Sequence, residues 1–150
     1  MELKGSRIIK ADRATVWAHL NSAATLGAAI PGCQELTGTP EDGFAAVVVQ
    51  KIGPVKAKFK GNVTLSDIVE NTSYRISGEG SGGVAGFAKG AALVQLSDAE
   101  DGCELSYEVE ARVGGKIAQL GSRLIDGFAR KMADKFFENF AEAVEGPAEA

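Results

Sequence analysis

The strongest constraint on this chain is a change in its hydrophobic period. Through much of residues 33–113, apolar and polar residues alternate, as in "VKAKFKGNV" and "CELSYEVEARV". A period of two is typical of antiparallel strands that have one buried and one hydrated face. Residues 116–144 then place apolar residues three and four positions apart, which predicts one long amphipathic helix. The sequence therefore predicts an α+β fold in which this helix packs on an antiparallel sheet.

The start of the chain adds one strand and two short helices. Residues 2–10 predict the first strand, and Asp12 stands where it can cap a following helix. A second helix at about residues 22–29 ends at Pro31 and Gly32. Turn residues such as "TPEDG" divide the alternating region into about six further strands. We predict a single domain over residues 1–144, with six to seven strands in all, and a disordered tail over residues 145–150.

The segment "GEGSGGVAGFAKG", residues 78–90, contains a G-x-G-x-x-G pattern. A nucleotide-binding turn needs a buried parallel strand before the glycines and a helix after them, and the polar alternation around this segment gives neither. Two strands explain it better, with Gly78, Gly80 and Gly82 on one inner face and Gly86 and Gly90 on the next. Small residues there either leave space that a ligand fills or merely permit the sheet to curve.

Charge and residue counts exclude several classes of function. The formal net charge is −4 and the isoelectric point is about 5.1, so nucleic acid is not an expected partner. No segment approaches the roughly 20 apolar residues that span a bilayer, and no signal peptide is recognisable, which favours a cytoplasmic protein. Two cysteines and a single histidine, His19, supply too few ligands for a zinc site. We expect no metal and no covalent cofactor.

Four phrases resemble one family of proteins. They are "VWAHLNSAATLGAAIPGCQEL", "KIGPVKAKFKGNV", "GFAKGAALVQL" and "GGKIAQLGSRLI", and they lie between Arg13 and about Phe140. The chain resembles the CoxG family of carbon monoxide dehydrogenase subunits, within the START-like helix-grip superfamily, also called SRPBCC. The resemblance implies a strongly bent antiparallel sheet wrapped round the C-terminal helix, two short helices between strands 1 and 2, and an apolar cavity between sheet and helix.

The resemblance also implies a role. CoxG proteins are thought to recruit molybdenum-containing carbon monoxide dehydrogenases and related hydroxylases to the membrane and to bind quinone. Members with a membrane role often carry a C-terminal extension, whereas this sequence stops at Ala150. We therefore expect membrane association to be at most peripheral, at the inner face of the cytoplasmic membrane.

The preferred hypothesis is a non-enzymatic carrier whose cavity binds a quinone or a lipid-like molecule. Tyr107 bears the only hydroxyl group on the apolar face of its strand, so it could hydrogen-bond a ligand carbonyl. The predicted ligand-binding residues are those of the inner strand faces and the helix stripe: Phe59, Val63, Gly80, Ala88, Gly90, Tyr107, Val109, Leu120, Gly121, Leu124 and Phe128.

Two alternatives remain. An enzyme of the cyclase or hydrolase kind, which the superfamily also contains, needs an acid or base inside the cavity, and only Tyr107, Gln119 and Asp126 are candidates. A protein adaptor with a vestigial cavity would instead dock through Lys56, Lys58 and Lys60, which share one hydrated strand face. An acidic partner protein is the expected target of these lysines, and the hydroxylase is the expected partner.

Overall fold

The computed structural model describes residues 1–145. Seven strands and three α-helices make up this part of the chain. In chain order the elements are β1 (Glu2–Ile9), α1 (Arg13–Leu20), α2 (Ala23–Ala29), β2 (Cys33–Thr39), β3 (Gly43–Ile52), β4 (Val55–Val69), β5 (Ser73–Ser81), β6 (Phe87–Ala99), β7 (Gly102–Gly114) and α3 (Ser122–Glu145).

All seven strands form one antiparallel sheet in the order β1-β7-β6-β5-β4-β3-β2. Strands β2 to β7 pair with their neighbours in sequence, and β1 joins the far edge beside β7. The helices α1 and α2 carry the chain from one edge of the sheet to the other. Helix α3 packs on the inner face, where its Phe140 is fully buried against strand residues such as Leu105. The predicted helix-grip fold, with two short helices between the first two strands, is confirmed.

Side-chain caps fix the starts of the two short helices. Asp12 accepts a hydrogen bond from the Thr15 backbone N–H at 2.8 Å, and the Ser22 hydroxyl accepts one from the Thr25 N–H at 3.3 Å. Each cap satisfies a backbone donor that the first turn of a helix leaves unpaired. The predicted starts of both helices are therefore correct.

Two apolar clusters hold the sheet and helices together. The larger one joins β1, α1 and β5 to β7 with α3, and it includes Ile9, Val16 and Phe140. The smaller one lies near the β3–β4 turn and centres on Ile52, Val55, Ala85 and Ile117. Partly buried Phe59, Leu120 and Phe128 pack against this second cluster.

The prediction of one helix over residues 116–144 is wrong at its start. Residues Gly115–Leu120 form a short 3₁₀ turn, and α3 begins at Ser122. Gly121, between them, has φ +94°, a positive-φ conformation outside the helical region that glycine adopts more readily than other residues. At the other end α3 includes Glu145, whose carboxylate accepts a hydrogen bond from the Lys10 backbone N–H at 2.9 Å. The remainder of the predicted tail, residues 146–150, lies outside the described residues.

The glycine segment contains two strands, as predicted, but its turn is longer than predicted. Gly82 and Gly86 lie outside the strands, because a 3₁₀ turn at Gly83–Ala85 connects β5 to β6 and Gly86 has φ +118°. The glycines inside the strands permit close packing of backbones. A Cβ atom at Gly61 or Gly90 would lie 2.7 Å from a carbonyl oxygen of the neighbouring strand. This finding favours the interpretation in which these glycines allow the sheet to bend.

Candidate functional site

A cavity of about 340 Å³ lies between the inner face of the sheet and helices α2 and α3. Its volume falls in the range of small-molecule sites, which begins at roughly 300 Å³. The strands and α1 contribute Leu3, Leu20, Phe44, Val63, Leu65, Tyr74, Ile76, Ala92, Val94, Leu105, Tyr107 and Val109 to its wall. Helix α2 and the residues after it contribute Leu26, Ile30 and Pro31, and helix α3 contributes Met132, Ala133, Phe136 and Phe137.

The periodicities of the elements explain why these residues converge. Along a strand every second side chain points to the same face, so Leu105, Tyr107 and Val109 all reach the inner side. In α3, positions four apart lie on one face, and Met132 therefore lies one turn from Phe136. The sheet and the helix thus present two apolar surfaces to the same space.

The wall of the cavity is almost entirely apolar. Of its 19 described residues, only Tyr74 and Tyr107 have a polar atom in the side chain. Gln119 and Asp126, the other candidates for acid–base chemistry, are exposed and do not line it. The arrangement is suited to holding an apolar molecule that has few polar groups.

The two tyrosines occupy different environments. Tyr74 is only 3% exposed and makes an edge-to-face contact with Trp17 at 5.2 Å between ring centroids. Burial raises the pKa of Tyr74 well above the ordinary value of a phenol. Tyr107 is half-buried, and its ring stacks on Phe137 with centroids 4.7 Å apart. Its hydroxyl lies over Gly5 of β1, where a Cβ atom would overlap it.

Charges on α3 also reach Tyr107. Burial raises the pKa of Tyr107, and the Asp134 carboxylate raises it further, whereas the Arg130 guanidinium lowers it. Both phenols therefore remain protonated near neutral pH and can donate a hydrogen bond.

Three of the predicted ligand-binding residues, Val63, Tyr107 and Val109, lie on the cavity wall. Phe59, Leu120 and Phe128 do not, because they pack in the second apolar cluster near the β3–β4 turn. In that region the Phe59 ring approaches Gly82 so closely that a Cβ atom there would lie 2.7 Å from it.

The other five predicted residues also lie off the wall. Gly80 and Ala88 face each other in register on β5 and β6, and Gly90 follows in the bent part of the sheet. Gly121 and Leu124 are exposed at the start of α3, because the chain breaks there instead of continuing as a helix. Leu124 contacts the β3–β4 turn at Gly53.

Sequence reasoning omitted several wall residues. Tyr74 and Ile76 could have been identified, because they share the inward parity of β5 with the glycines. Met132 and Phe136 belong to the apolar stripe of the predicted helix. The contribution of α2 had no sequence signal, because a seven-residue helix reaches the cavity only through its packing on α3. That packing includes a hydrogen bond of 3.0 Å from Asn139 Nδ2 to the Ala29 carbonyl oxygen.

The three predicted docking lysines lie together on the outer face of the sheet. Lys56, Lys58 and Lys60 alternate along β4 and are all exposed, and Lys51 of β3 lies opposite Lys56. We call these four residues the lysine patch. None of them forms a salt bridge with another residue of the described chain. Like charges directly opposite each other in a sheet are destabilising, so the patch is not explained by the stability of the fold.

A larger hollow of about 840 Å³ lies on the outer face, away from the cavity. Its charged residues are of mixed sign, since Glu2, Glu79 and Glu110 are acidic and Lys89 and Arg112 are basic. It therefore has no consistent charge or apolar surface with which to select a ligand. Within residues 1–145 there is no cluster of three or more histidine, cysteine or acidic side chains that could hold a metal ion. None of the described helices is both long and apolar enough to cross a membrane.

Known structures share this architecture. A conserved protein from Geobacillus kaustophilus is similar over 97% of this chain and 95% of its own, with 29% sequence identity and a TM-score of 0.89. The protein TTHA0849 from Thermus thermophilus is 13% identical over 99% of this chain and 100% of its own, with a TM-score of 0.75. An uncharacterized protein from Rhizobium leguminosarum is 15% identical over 97% of this chain and 94% of its own, with a TM-score of 0.71.

Sequence comparison supplies the family. No curated protein matches the chain significantly. The family model for the carbon monoxide dehydrogenase subunit CoxG matches residues 5–145, a span that includes every strand and helix from within β1 to the end of α3. The chain therefore belongs to the CoxG family of carbon monoxide dehydrogenase subunits.

Proposed function

We propose that the protein is a non-enzymatic accessory protein that carries a quinone or a lipid-like molecule. In this proposal it serves a molybdenum-containing hydroxylase of the carbon monoxide dehydrogenase type and couples that enzyme to the respiratory membrane. The observation that carries the proposal is the apolar cavity of about 340 Å³ between the sheet and α3. The family description, which names a carbon monoxide dehydrogenase, supports the partner.

The size of the cavity argues for an occupant. At about 24 cal/mol per Å³ of unfilled volume, a fully enclosed cavity of about 340 Å³ would cost at most about 8 kcal/mol if it stayed empty, and this one costs less because it is partly open to solvent. Typical domains have a total stability of only about 5 to 15 kcal/mol. Water that enters the cavity gains few hydrogen bonds from the wall, which offers two hydroxyl groups, so an apolar molecule suits this surface better.

The association with an oxidising enzyme favours a quinone over other apolar molecules. Oxidation of a substrate by a hydroxylase releases electrons, and a quinone is an apolar molecule that accepts electrons. Flat aromatic walls such as Tyr107 stacked on Phe137 suit a ring of this kind. The protein itself would bind and shield the molecule and would carry out no reaction on it.

The cavity can be tested on freshly purified protein. Native mass spectrometry should detect a bound apolar molecule in stoichiometric amount, and organic extraction should release it for identification. Short-chain benzoquinones and naphthoquinones should raise the melting temperature of protein from which the molecule was removed, since a ligand that binds only the folded state stabilises it. If no molecule is extracted and no quinone raises the melting temperature, the carrier function is refuted.

The lysine patch supports the second part of the proposal, docking to the hydroxylase. The four ammonium groups of the patch form no salt bridge within the described chain. They make a positively charged surface on a protein whose net charge is −4. Such a surface suits an acidic region of a partner protein. Contacts of this kind mainly accelerate association and are screened by salt.

The docking test exchanges Lys56, Lys58 and Lys60 for Glu together and measures capture of the hydroxylase at low salt. The matched control exchanges three other exposed lysines that form no salt bridge among the described residues, Lys10, Lys116 and Lys131, which changes the net charge by the same amount. We expect capture to fall in the first variant only. Equal capture by both variants would remove the lysine patch from the proposal.

The connection between β5 and β6 supports contact with a membrane. Val84 in its 3₁₀ turn is 95% exposed, and Phe87 beside it is 51% exposed. Exposed apolar side chains at a loop tip can enter the interfacial region of a bilayer without spanning it. We expect Val84→Asp to reduce co-sedimentation with quinone-containing vesicles while leaving the melting temperature unchanged. Unchanged co-sedimentation would exclude this loop as the membrane contact.

A further inference from the structure

Tyr74 carries one of the two hydroxyl groups among the residues that line the cavity. Tyr74 lies on β5, is 3% exposed and lines the cavity wall. Among the described residues, no side-chain or backbone group forms a hydrogen bond with its hydroxyl. Its ring is fixed by the edge-to-face contact with Trp17.

The Tyr74 hydroxyl is not fully buried, and the accessible surface that it keeps is best explained by the cavity beside it. No fully buried side-chain nitrogen or oxygen atom in the described chain lacks a hydrogen-bond partner. The unpartnered Tyr74 hydroxyl therefore keeps some accessible surface, and the cavity is the space that Tyr74 lines. Because this hydroxyl forms no hydrogen bond within the described chain, a ligand that supplies an acceptor gains a hydrogen bond there without breaking one inside the protein.

We propose that Tyr74 anchors the ligand by donating a hydrogen bond to a neutral carbonyl oxygen, an inference that rests on the proposed carrier function. The cavity then selects an apolar molecule that bears a keto or quinone oxygen. It discriminates against a hydrocarbon of the same shape and against a fatty-acid anion.

The charges near the cavity explain the preference for a neutral group. No lysine, arginine or histidine is present among the described wall residues. A carboxylate placed there would lose its hydration without gaining a counter-ion, which is strongly unfavourable. A carbonyl oxygen needs only one donor, and the Tyr74 phenol stays protonated because burial raises its pKa.

Tyr107 is less suited to this role, although it was the residue predicted for it. It is half-buried, stacks on Phe137 and places its hydroxyl over Gly5 at β1. Its neighbours include the charged groups of Asp134 and Arg130. Tyr107 thus supplies a flat apolar surface, and Tyr107→Phe is a matched control for Tyr74→Phe.

The experiment compares two neutral probes of the same shape. One is a naphthoquinone with methyl groups at both free quinone-ring positions, so that the half-buried thiol of Cys33 cannot add to it. The other is a tetramethylnaphthalene in which methyl groups replace both carbonyl oxygens. A naphthalene carboxylate serves as the anionic probe. Dissociation constants are measured by calorimetry for the wild type, Tyr74→Phe and Tyr107→Phe.

The ratio of quinone to hydrocarbon dissociation constants is the readout, because it removes the general hydrophobicity of the probes. We expect Tyr74→Phe to raise this ratio about 3- to 10-fold, the range that one hydrogen bond contributes. Tyr107→Phe should leave it unchanged, and the carboxylate should bind more weakly than the hydrocarbon to all three proteins. In the wild type the infrared carbonyl stretch of the bound quinone should lie at lower frequency than in hexane, which tests the hydrogen bond without any variant.

The outcomes separate the two proposals. If the wild type binds both neutral probes but Tyr74→Phe leaves the ratio unchanged, or the carbonyl stretch is not shifted, the anchor is refuted and the carrier function stands. If the carboxylate binds more tightly than the hydrocarbon, the selection for neutral ligands is refuted. If the wild type binds none of the probes, the carrier function is refuted and the anchor with it.

Discussion

Replacing Ala133 by Leu adds three carbon atoms to a residue of α3 that lines the cavity. Burial of each added carbon contributes about 0.8 kcal/mol, which gives up to about 2.4 kcal/mol. Ordering the longer side chain costs about 0.5 to 1 kcal/mol, so the net gain for the ligand-free protein is about 1.5 kcal/mol. Both residues are good helix formers, so the effect measures the space around position 133 rather than helix propensity.

The assay is urea unfolding of the ligand-free protein, accompanied by a thermal melt. For a domain of this size the gain corresponds to a rise in melting temperature of about 3 to 6 °C. Ala143→Leu is the matched control, because Ala143 is exposed on the same helix and its substitution should change stability by less than about 0.5 kcal/mol. We also expect Ala133→Leu to weaken binding of the naphthoquinone probe at least about tenfold, because the added volume takes up space that a ligand needs.

A contrary result would be informative. If Ala133→Leu destabilises the protein by about 1 kcal/mol or more relative to Ala143→Leu, the added carbons meet packed atoms. The cavity between the sheet and α3 would then be absent in solution, and the volume argument for a bound molecule would be incorrect.

Three further substitutions test the fold around the site. Gly90→Ala should cost about 1 to 3 kcal/mol in urea unfolding, because its Cβ would lie 2.7 Å from a carbonyl oxygen. Gly80→Ala is the control and should be tolerated, because the nearest atom to a Cβ there is 3.6 Å away. Equal costs for the two variants would contradict the packing explanation. Asn139→Ala should cost about 1 kcal/mol by removing the bond to Ala29 that joins α2 to α3, and no change in unfolding would show that this bond contributes nothing. The hydrogen bond that caps α1 lowers the pKa of Asp12 below 3.8, so its contribution is present above pH 3.8 and is lost as the pH falls through the folded-state pKa. Asp12→Asn should remove this acid dependence, and parallel stability–pH curves for the two proteins would refute it.

The strands could be predicted from the sequence because their alternation is local. Along β4, lysines and apolar residues alternate from Val55 onward, and the structure places Lys56, Lys58 and Lys60 on the outer face. The break at Gly121 could not be predicted, because one glycine within a helical pattern costs only about 1 kcal/mol and the apolar spacing continues across it. The positive φ of Gly121 is set by the tertiary path of the chain between β7 and α3.

The position of the cavity was harder to predict than the fold. The inward parity of Gly80 and Gly90 was correct, but parity does not show which residues on a face border open space. That depends on where Phe59 and Phe128 fill the region next to the bent strands and on where α2 leaves room beside α3. These are contacts between elements distant in sequence, and a single sequence holds no direct record of them.

Small residues on the inner face act in two different ways, and the distinction explains how a bent sheet and a cavity coexist. At Gly61 and Gly90 even one carbon atom would collide with a neighbouring strand, so glycine is required where the backbones approach most closely. At Ala92 and Ala133 the side chains line the cavity and end at Cβ, so the space begins where their atoms stop. Enlarging the glycines should therefore lower stability, and enlarging the alanines should raise it while removing room for a ligand. Opposite signs for these two classes of substitution are expected only if the bend and the cavity have separate physical causes.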